Sequence, residues 1–158
     1  MKRIKFLPLV LFIIGSELLG SLGSIATMPA IPTWFKTLNK PPLQPPNWIF
    51  GPVWTFLFFM MGVSAYLIWQ QGTKKQTVKY ALELFVLQFG LNILWSFLFF
   101  GLQSPFWAGI CILCLWTAIY ITMQAFKKIN TFAMTLLIPY LLWVTFATYL
   151  NWGVAFLN

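Results

Sequence analysis

The 158-residue chain is 60% hydrophobic and 20% aromatic, and carries ten Lys and Arg against two acids, Glu17 and Glu83, for a net charge of +8. Only 8% of it is charged, where a soluble domain has about 25%, and its apolar runs approach the ~20 residues that cross a bilayer as a helix. These figures exclude a soluble domain. The runs do not alternate in polarity, which excludes a transmembrane β-barrel, and leave an all-α integral membrane protein.

Five hydrophobic segments are predicted, at about 6–27, 47–70, 78–100, 105–126 and 131–156, forming one five-helix domain that takes up the whole chain. Links this short make neighbouring helices antiparallel in a single bundle. The start, "MKRIKFLPLVLFIIG", resembles the basic and apolar regions of a signal peptide, with "SIATMPA" as a possible cleavage site. Apolar character continues through Leu18, Leu19 and Leu22, so a retained spanning helix is the preferred reading. Glu17 is the one acid near the middle of a segment. An intramembrane acid points to function, the alternative being a neutral carboxyl hydrogen-bonded to a neighbour. Ser16, Gly20 and Ser24 recur every four residues nearby, a spacing that permits close helix contact within a protomer or across a dimer.

Between the first two segments, at 28–46, lies a proline-rich stretch, "TWFKTLNKPPLQPPNWIFGPVW" with its flanks. Pro-Pro pairs disfavour helix and stiffen the backbone, reducing the entropy lost when a loop takes one shape. In the second segment Trp54, Phe58, Met61 and Ala65 share a face. In the third, Gln88, Asn92, Trp95 and Phe99 do the same, and amides in hydrocarbon need partners. That face either glues helices together or meets a ligand. The fifth repeats the pattern with Tyr140, Trp143, Ala147, Leu150 and Asn151, and Pro139 is expected to bend this helix by freeing the Thr135 carbonyl. Trp34, Trp48, Trp69 and Trp152 also suit an interfacial aromatic belt.

The cations cluster at segment ends, as topology signals and anionic-lipid contacts do, and this pattern argues against nucleic-acid binding. With the N-terminus inside, Lys2, Arg3, Lys5, Lys74, Lys75, Lys79, Lys127 and Lys128 lie within, and only Lys36 and Lys40 outside. The positive-inside rule thus predicts N-in and C-out, with the proline loop outside. Conventional catalysis finds few residues here: the chain has no histidine and no phosphate loop. Cys111 and Cys114 form a C-x-x-C within an apolar run, where thiolates are disfavoured, so no metal site is expected. The conspicuous resource is aromatic surface, which stacks on flat apolar molecules and grips cations.

The motifs "TWFKTLNKPPLQPPNWIFGPVWT", "LQFGLNILWSFLFFG" and "PYLLWVTFATYLN" resemble, in order and spacing, the tryptophan-rich sensory protein / translocator protein family, formerly the peripheral benzodiazepine receptors, from about Gly15 to Asn151. The resemblance implies a five-helix membrane protein, usually homodimeric, that binds tetrapyrroles such as protoporphyrin IX, with benzodiazepine-type and isoquinoline ligands in relatives. It implies a pocket wall of Trp54, Phe58, Asn92, Trp95, Phe99, Trp107, Trp143, Ala147 and Leu150, and a lid holding Trp34, Phe35, Pro41, Pro45 and Pro46. Porphyrin would be ligand and not a required cofactor. Three roles follow: a receptor or sensor, light- and oxygen-dependent porphyrin degradation at Trp54 and Trp143, or transport of tetrapyrroles and other lipophiles. The short tails suggest a prokaryotic member in a bacterial cytoplasmic membrane. Two departures stand out. Phe35 replaces the usual Tyr after the lid Trp, and no cation follows Tyr149 to complete the animal cholesterol motif.

Overall fold

The computed structural model describes residues 4–158, and every regular element among them is helical. Lys2 and Arg3, two of the expected topology cations, lie outside the described residues. The elements run α1 (Phe6–Ser21), α2 (Ser24–Ala30), α3 (Trp34–Thr37), a 3-10 turn (Asn47–Ile49), α4 (Phe50–Trp69), α5 (Gln76–Ser96) with a π-turn (Phe97–Gly101), α6 (Pro105–Lys127), α7 (Thr131–Thr135) and α8 (Ile138–Leu157). Four spans among the described residues are long and apolar enough to cross a membrane, and the bent pair α1–α2 makes a fifth when it is counted as one span. This is a multi-pass integral membrane protein. The links at 70–75, 102–104 and 128–130 are too short to recross a bilayer, so successive spans alternate in direction. Lys5, Lys74, Lys75, Lys79, Lys127 and Lys128 therefore gather at one end and Lys36 and Lys40 at the other.

Two helices depart from the segments expected. The first does not run unbroken: α1 and α2 meet at 41°. Leu22, Gly23 and Ile25 donate to carbonyls three residues back, at 3.2, 3.2 and 3.3 Å, which tightens the turn and redirects the axis. The last segment is divided where a bend was expected. Pro139 lies in the first turn of α8, where its missing N–H costs nothing, so it starts a helix and does not kink one. Asn130 caps α7 by accepting from the Ala133 amide at 3.1 Å.

Lipid tails are as apolar as leucine, so close packing and interhelical hydrogen bonds hold such helices together, not exclusion from water. A Cβ on Gly62 would stand 2.8 Å from the Phe12 carbonyl oxygen and the Ile13 Cα, so α4 lies directly on the α1 backbone. Ser64 Oγ donates to the Ala133 carbonyl at 2.7 Å, tying α4 to α7. Met61, Ala65, Ile112, Leu115, Ile119 and Phe126 are fully enclosed between α4, α6 and their neighbours. At the other end this core opens into a cavity.

Candidate functional site beneath the proline lid

A cavity of about 510 Å³ lies between α1–α2, α4, α5 and α8, a size typical of small-molecule sites. Trp54 and Phe58 are stacked at 5.3 Å in its α4 wall, and Phe58 continues onto Phe89 at 5.6 Å. A Cβ on Gly20 would collide with the Phe58 ring, so this glycine is what lets α1 close on the aromatic stack. Trp95 and Phe99 face each other at 5.5 Å in the α5 wall. Ala147 and Leu150 complete the α8 side, the small Ala147 leaving space between larger groups.

The polar groups of α5 and α8 are mostly spent on one another. Asn92 Nδ2 donates to the buried Tyr140 hydroxyl at 3.2 Å. Trp95 Nε1 donates to Asn151 Oδ1 at 2.8 Å, and Asn151 Nδ2 donates to the Pro105 carbonyl at 2.7 Å. These bonds fix the ring and amide orientations, so Asn92 and Trp95 both bind helices together and line the cavity. Gln88, one turn before Asn92, is buried in the core and does not line it.

The π-turn adds residues that helical spacing missed. Its register is set by Leu102 donating to the Phe97 carbonyl at 2.8 Å, five residues back. The widened turn brings both Phe99 and Phe100 into the wall, 4.8 Å apart. A Phe-Phe pair before Gly101 was the available signal, but periodicity alone puts such neighbours on different faces. Glu17 and Thr27, from α1 and α2, also line the cavity.

Phe35 closes the top, buried, 6.2 Å from Phe99 and 5.6 Å from Phe100, with Lys40 Nζ over its ring at 4.6 Å from the centroid. Trp34 braces Phe99 edge-on at 5.7 Å from outside the cavity. The prolines hold the lid and do not line the cavity. Pro41 is buried on Gly153, where a Cβ would stand 2.6 Å from its ring, while Pro45 is half-buried and Pro46 exposed. Four hydrogen bonds with the second half of α8 and the Asn158 that ends it latch this loop. Tyr149 Oη donates to the Pro42 carbonyl at 2.8 Å, the Asn39 amide donates to Asn158 Oδ1 at 2.9 Å, Asn158 Nδ2 returns a bond to the Asn39 carbonyl at 3.0 Å, and Asn39 Nδ2 donates to the Leu157 carbonyl at 3.3 Å. Leu43 turns the chain between the proline pairs with φ at +69°.

Two residues expected in the wall lie elsewhere. Trp107 is 62% exposed on the outer surface beside Phe106, because α6 turns Ala108, Cys111 and Ile112 inward and position 107 falls about 100° away. Trp143 precedes the inward residue Val144 and packs on Phe50 at 5.8 Å, lining a separate shallow groove with Val53 and Leu142. Its indole N–H is buried without a partner. Trp54 is thus the one member of the expected Trp54–Trp143 pair that lines the cavity.

A sequence model of the TspO/MBR family matches residues 11–157. The chain is 44% identical over 139 residues to the tryptophan-rich protein TspO of Chlorobaculum tepidum, covering 88% of each protein. Its identity to the protein of that name from Archaeoglobus fulgidus is 39% over 154 residues, covering 98% of this chain and 99% of the relative. The translocator protein of Bos taurus is 36% identical over 149 residues, covering 93% of this chain and 88% of the relative. With matches of this length to bacterial, archaeal and animal members, the chain belongs to the TspO/MBR family.

Proposed function

We propose that the chain is a membrane receptor or sensor that takes a tetrapyrrole such as protoporphyrin IX, or a related flat apolar molecule, into the cavity beneath the proline lid. The observation that carries this reading is the wall itself: Trp54, Phe58, Trp95 and Phe99 present aromatic surface around about 510 Å³, and Phe35 closes it from above. Rings of this kind stack on planar apolar ligands. The ligand contacts then fall to Trp54, Phe58, Asn92, Trp95, Phe99, Ala147 and Leu150, with Phe35 as the lid residue that touches ligand. Trp34 and the prolines set the position of Phe35.

Titration with protoporphyrin IX in the dark, read by quenching of tryptophan fluorescence, tests binding. Saturable quenching that weakens in Trp95→Ala supports the reading, and unsaturable quenching refutes it. The same titration in light and air tests the second role. An indole in the cavity wall, Trp54, would lie beside an excited porphyrin, and bleaching of the bound spectrum that is lost in Trp54→Phe is the expected sign of degradation. The same reading sets the protein in a bacterial cytoplasmic membrane with its N-terminus inside and the lid outside, the orientation that the cation distribution favours. A homodimer belongs to the same reading. Gly90 lies exposed on α5 with nothing within 4 Å of a Cβ built on it, which leaves a face that a second copy can approach.

A further inference from the structure

The walls of the cavity differ in what they offer a ligand. On α5 and α8 the amide and indole N–H groups that line the cavity are committed to Tyr140, to Asn151 and to the Pro105 carbonyl of α6. On α1 and α2, four oxygen-bearing side chains follow one another along the cavity: Glu17, Ser21, Ser24 and Thr27. Their spacing of four, three and three keeps them on one side through the bend. The three hydroxyl hydrogens are already used. Ser21 Oγ donates to the Leu18 carbonyl at 2.7 Å, Ser24 Oγ to the Ser21 carbonyl at 2.5 Å, and Thr27 Oγ1 to the Gly23 carbonyl at 3.0 Å. What remains facing the cavity is oxygen lone pairs. Glu17, one turn further from the lid than Gly20, is the only charged side chain in the wall among the described residues, and none of them hydrogen-bonds its carboxyl or pairs with it.

From this asymmetry we infer that the α1–α2 wall is an acceptor-only strip that selects ligands by their edge: the cavity favours flat aromatic molecules presenting N–H donors or a cationic nitrogen toward Glu17. This inference rests on the proposed binding of flat ligands in the cavity, and adds the polarity of the ligand and its orientation. An intramembrane carboxyl without a partner is costly, and a ligand donor supplies the partner that the protein does not. Anionic groups on a ligand are turned away from Glu17, toward the lid end of the cavity. The aromatic walls hold the face of the ligand, and the strip reads its rim.

The test uses two tricyclic probes of similar outline on the full detergent-solubilised chain, with tryptophan quenching as readout. Proflavine is a cation with amino donors, and anthracene is a neutral hydrocarbon. Glu17→Gln should weaken proflavine about tenfold to a hundredfold, the range of a charge-assisted hydrogen bond, and leave anthracene within about twofold. Glu17→Asp, which keeps the charge on a shorter stem, should recover part of the proflavine affinity. Unchanged proflavine binding in Glu17→Gln, or equal weakening of both probes, overturns the inference. So does a wild-type protein that binds anthracene but not proflavine, with the cavity reading left intact. Failure of both probes in the wild type overturns the cavity reading itself.

Discussion

Gly153 on α8 is where the lid rests, and replacing it with alanine separates lid position from fold stability. The new Cβ would stand 2.6 Å from both Cβ and Cγ of Pro41. A proline ring cannot fold away, so the loop must retreat by about 1 Å to reach ordinary contact distance. That movement carries the Tyr149–Pro42 bond from 2.8 Å and the two Asn39–Asn158 bonds from 2.9 and 3.0 Å past the limit of hydrogen bonding. The three shorter of these exposed bonds, at the low end of about 0.5–1.5 kcal/mol each, amount to roughly 1.5–3 kcal/mol taken from the closed lid. At one decade per 1.4 kcal/mol, the closed form loses about tenfold to a hundredfold in population. The helix, by contrast, gains a few tenths to 1 kcal/mol when alanine replaces an interior glycine. Gly153→Ala should therefore keep or raise the midpoint of thermal unfolding while speeding porphyrin release at least about tenfold. Stopped-flow recovery of tryptophan fluorescence, after porphyrin-loaded protein is mixed with excess lipid vesicles, measures that rate. Tyr149→Phe, which removes one bond, should accelerate release only about twofold to fivefold. A Gly153→Ala release rate within twofold of wild type would refute the latch.

Other substitutions test the cavity wall and the packing behind it. Trp107→Phe should leave porphyrin affinity unchanged in the quenching titration, since the residue lies on the outer surface, whereas Trp95→Ala should weaken it by about tenfold or more through lost ring contact. Asn92→Leu removes the donor to the buried Tyr140 hydroxyl, and thermal unfolding in detergent should show a loss of about 1–3 kcal/mol, restored in part by adding Tyr140→Phe. Gly62→Val sets a side chain against the α1 backbone at 2.8 Å, and should abolish the monodisperse folded peak in size-exclusion chromatography. Gly15→Ala, with nothing within 4 Å of the added Cβ, should elute as wild type does.

Most of the cavity wall was legible because helical periodicity and membrane chemistry ask for the same residues. Asn92, Trp95 and Phe99 share a face by spacing, and the cost of an amide in hydrocarbon turns that face inward. What periodicity could not supply was any position where the helix changes pitch. Phe100 joins the wall only because the π-turn adds a residue, and the bend between α1 and α2 is not written in the spacing that puts Glu17 and Thr27 on the cavity side. Trp107 and Trp143 show the opposite failure. Each sits beside an inward residue, Ala108 or Val144, and one position along a helix turns a side chain by about 100°. Tryptophan is large enough to suggest a binding role on either side, so its identity outweighed its phase. Pro139 likewise reads as a kink until it is seen that the chain has already left the helix at Leu136.

These interruptions share a location, and that explains how a bundle of packed helices contains a cavity at all. An unbroken α1–α2 helix would continue straight alongside its neighbours, and a regular α5 would bring only one of two adjacent phenylalanines inward. Here the bend of the first span falls at Gly23, where a Cβ would stand 2.8 Å from Ser96 Oγ at the end of regular α5. The two helices touch at that point, with the bend on one side and the π-turn beginning on the next residue of the other. Below the contact, Gly20 admits Phe58 and the aromatic stack fills the bundle. Above it, α2 packs against the π-turn, and the chain passes into the lid. The cavity is thus framed by a change of helical pitch at one level. A substitution that restored regular pitch at either helix would shrink it without removing a single lining residue. Irregular turns inside helices are often found at functional sites. Here the irregularity holds two helices apart around the cavity, and together where the fold needs contact.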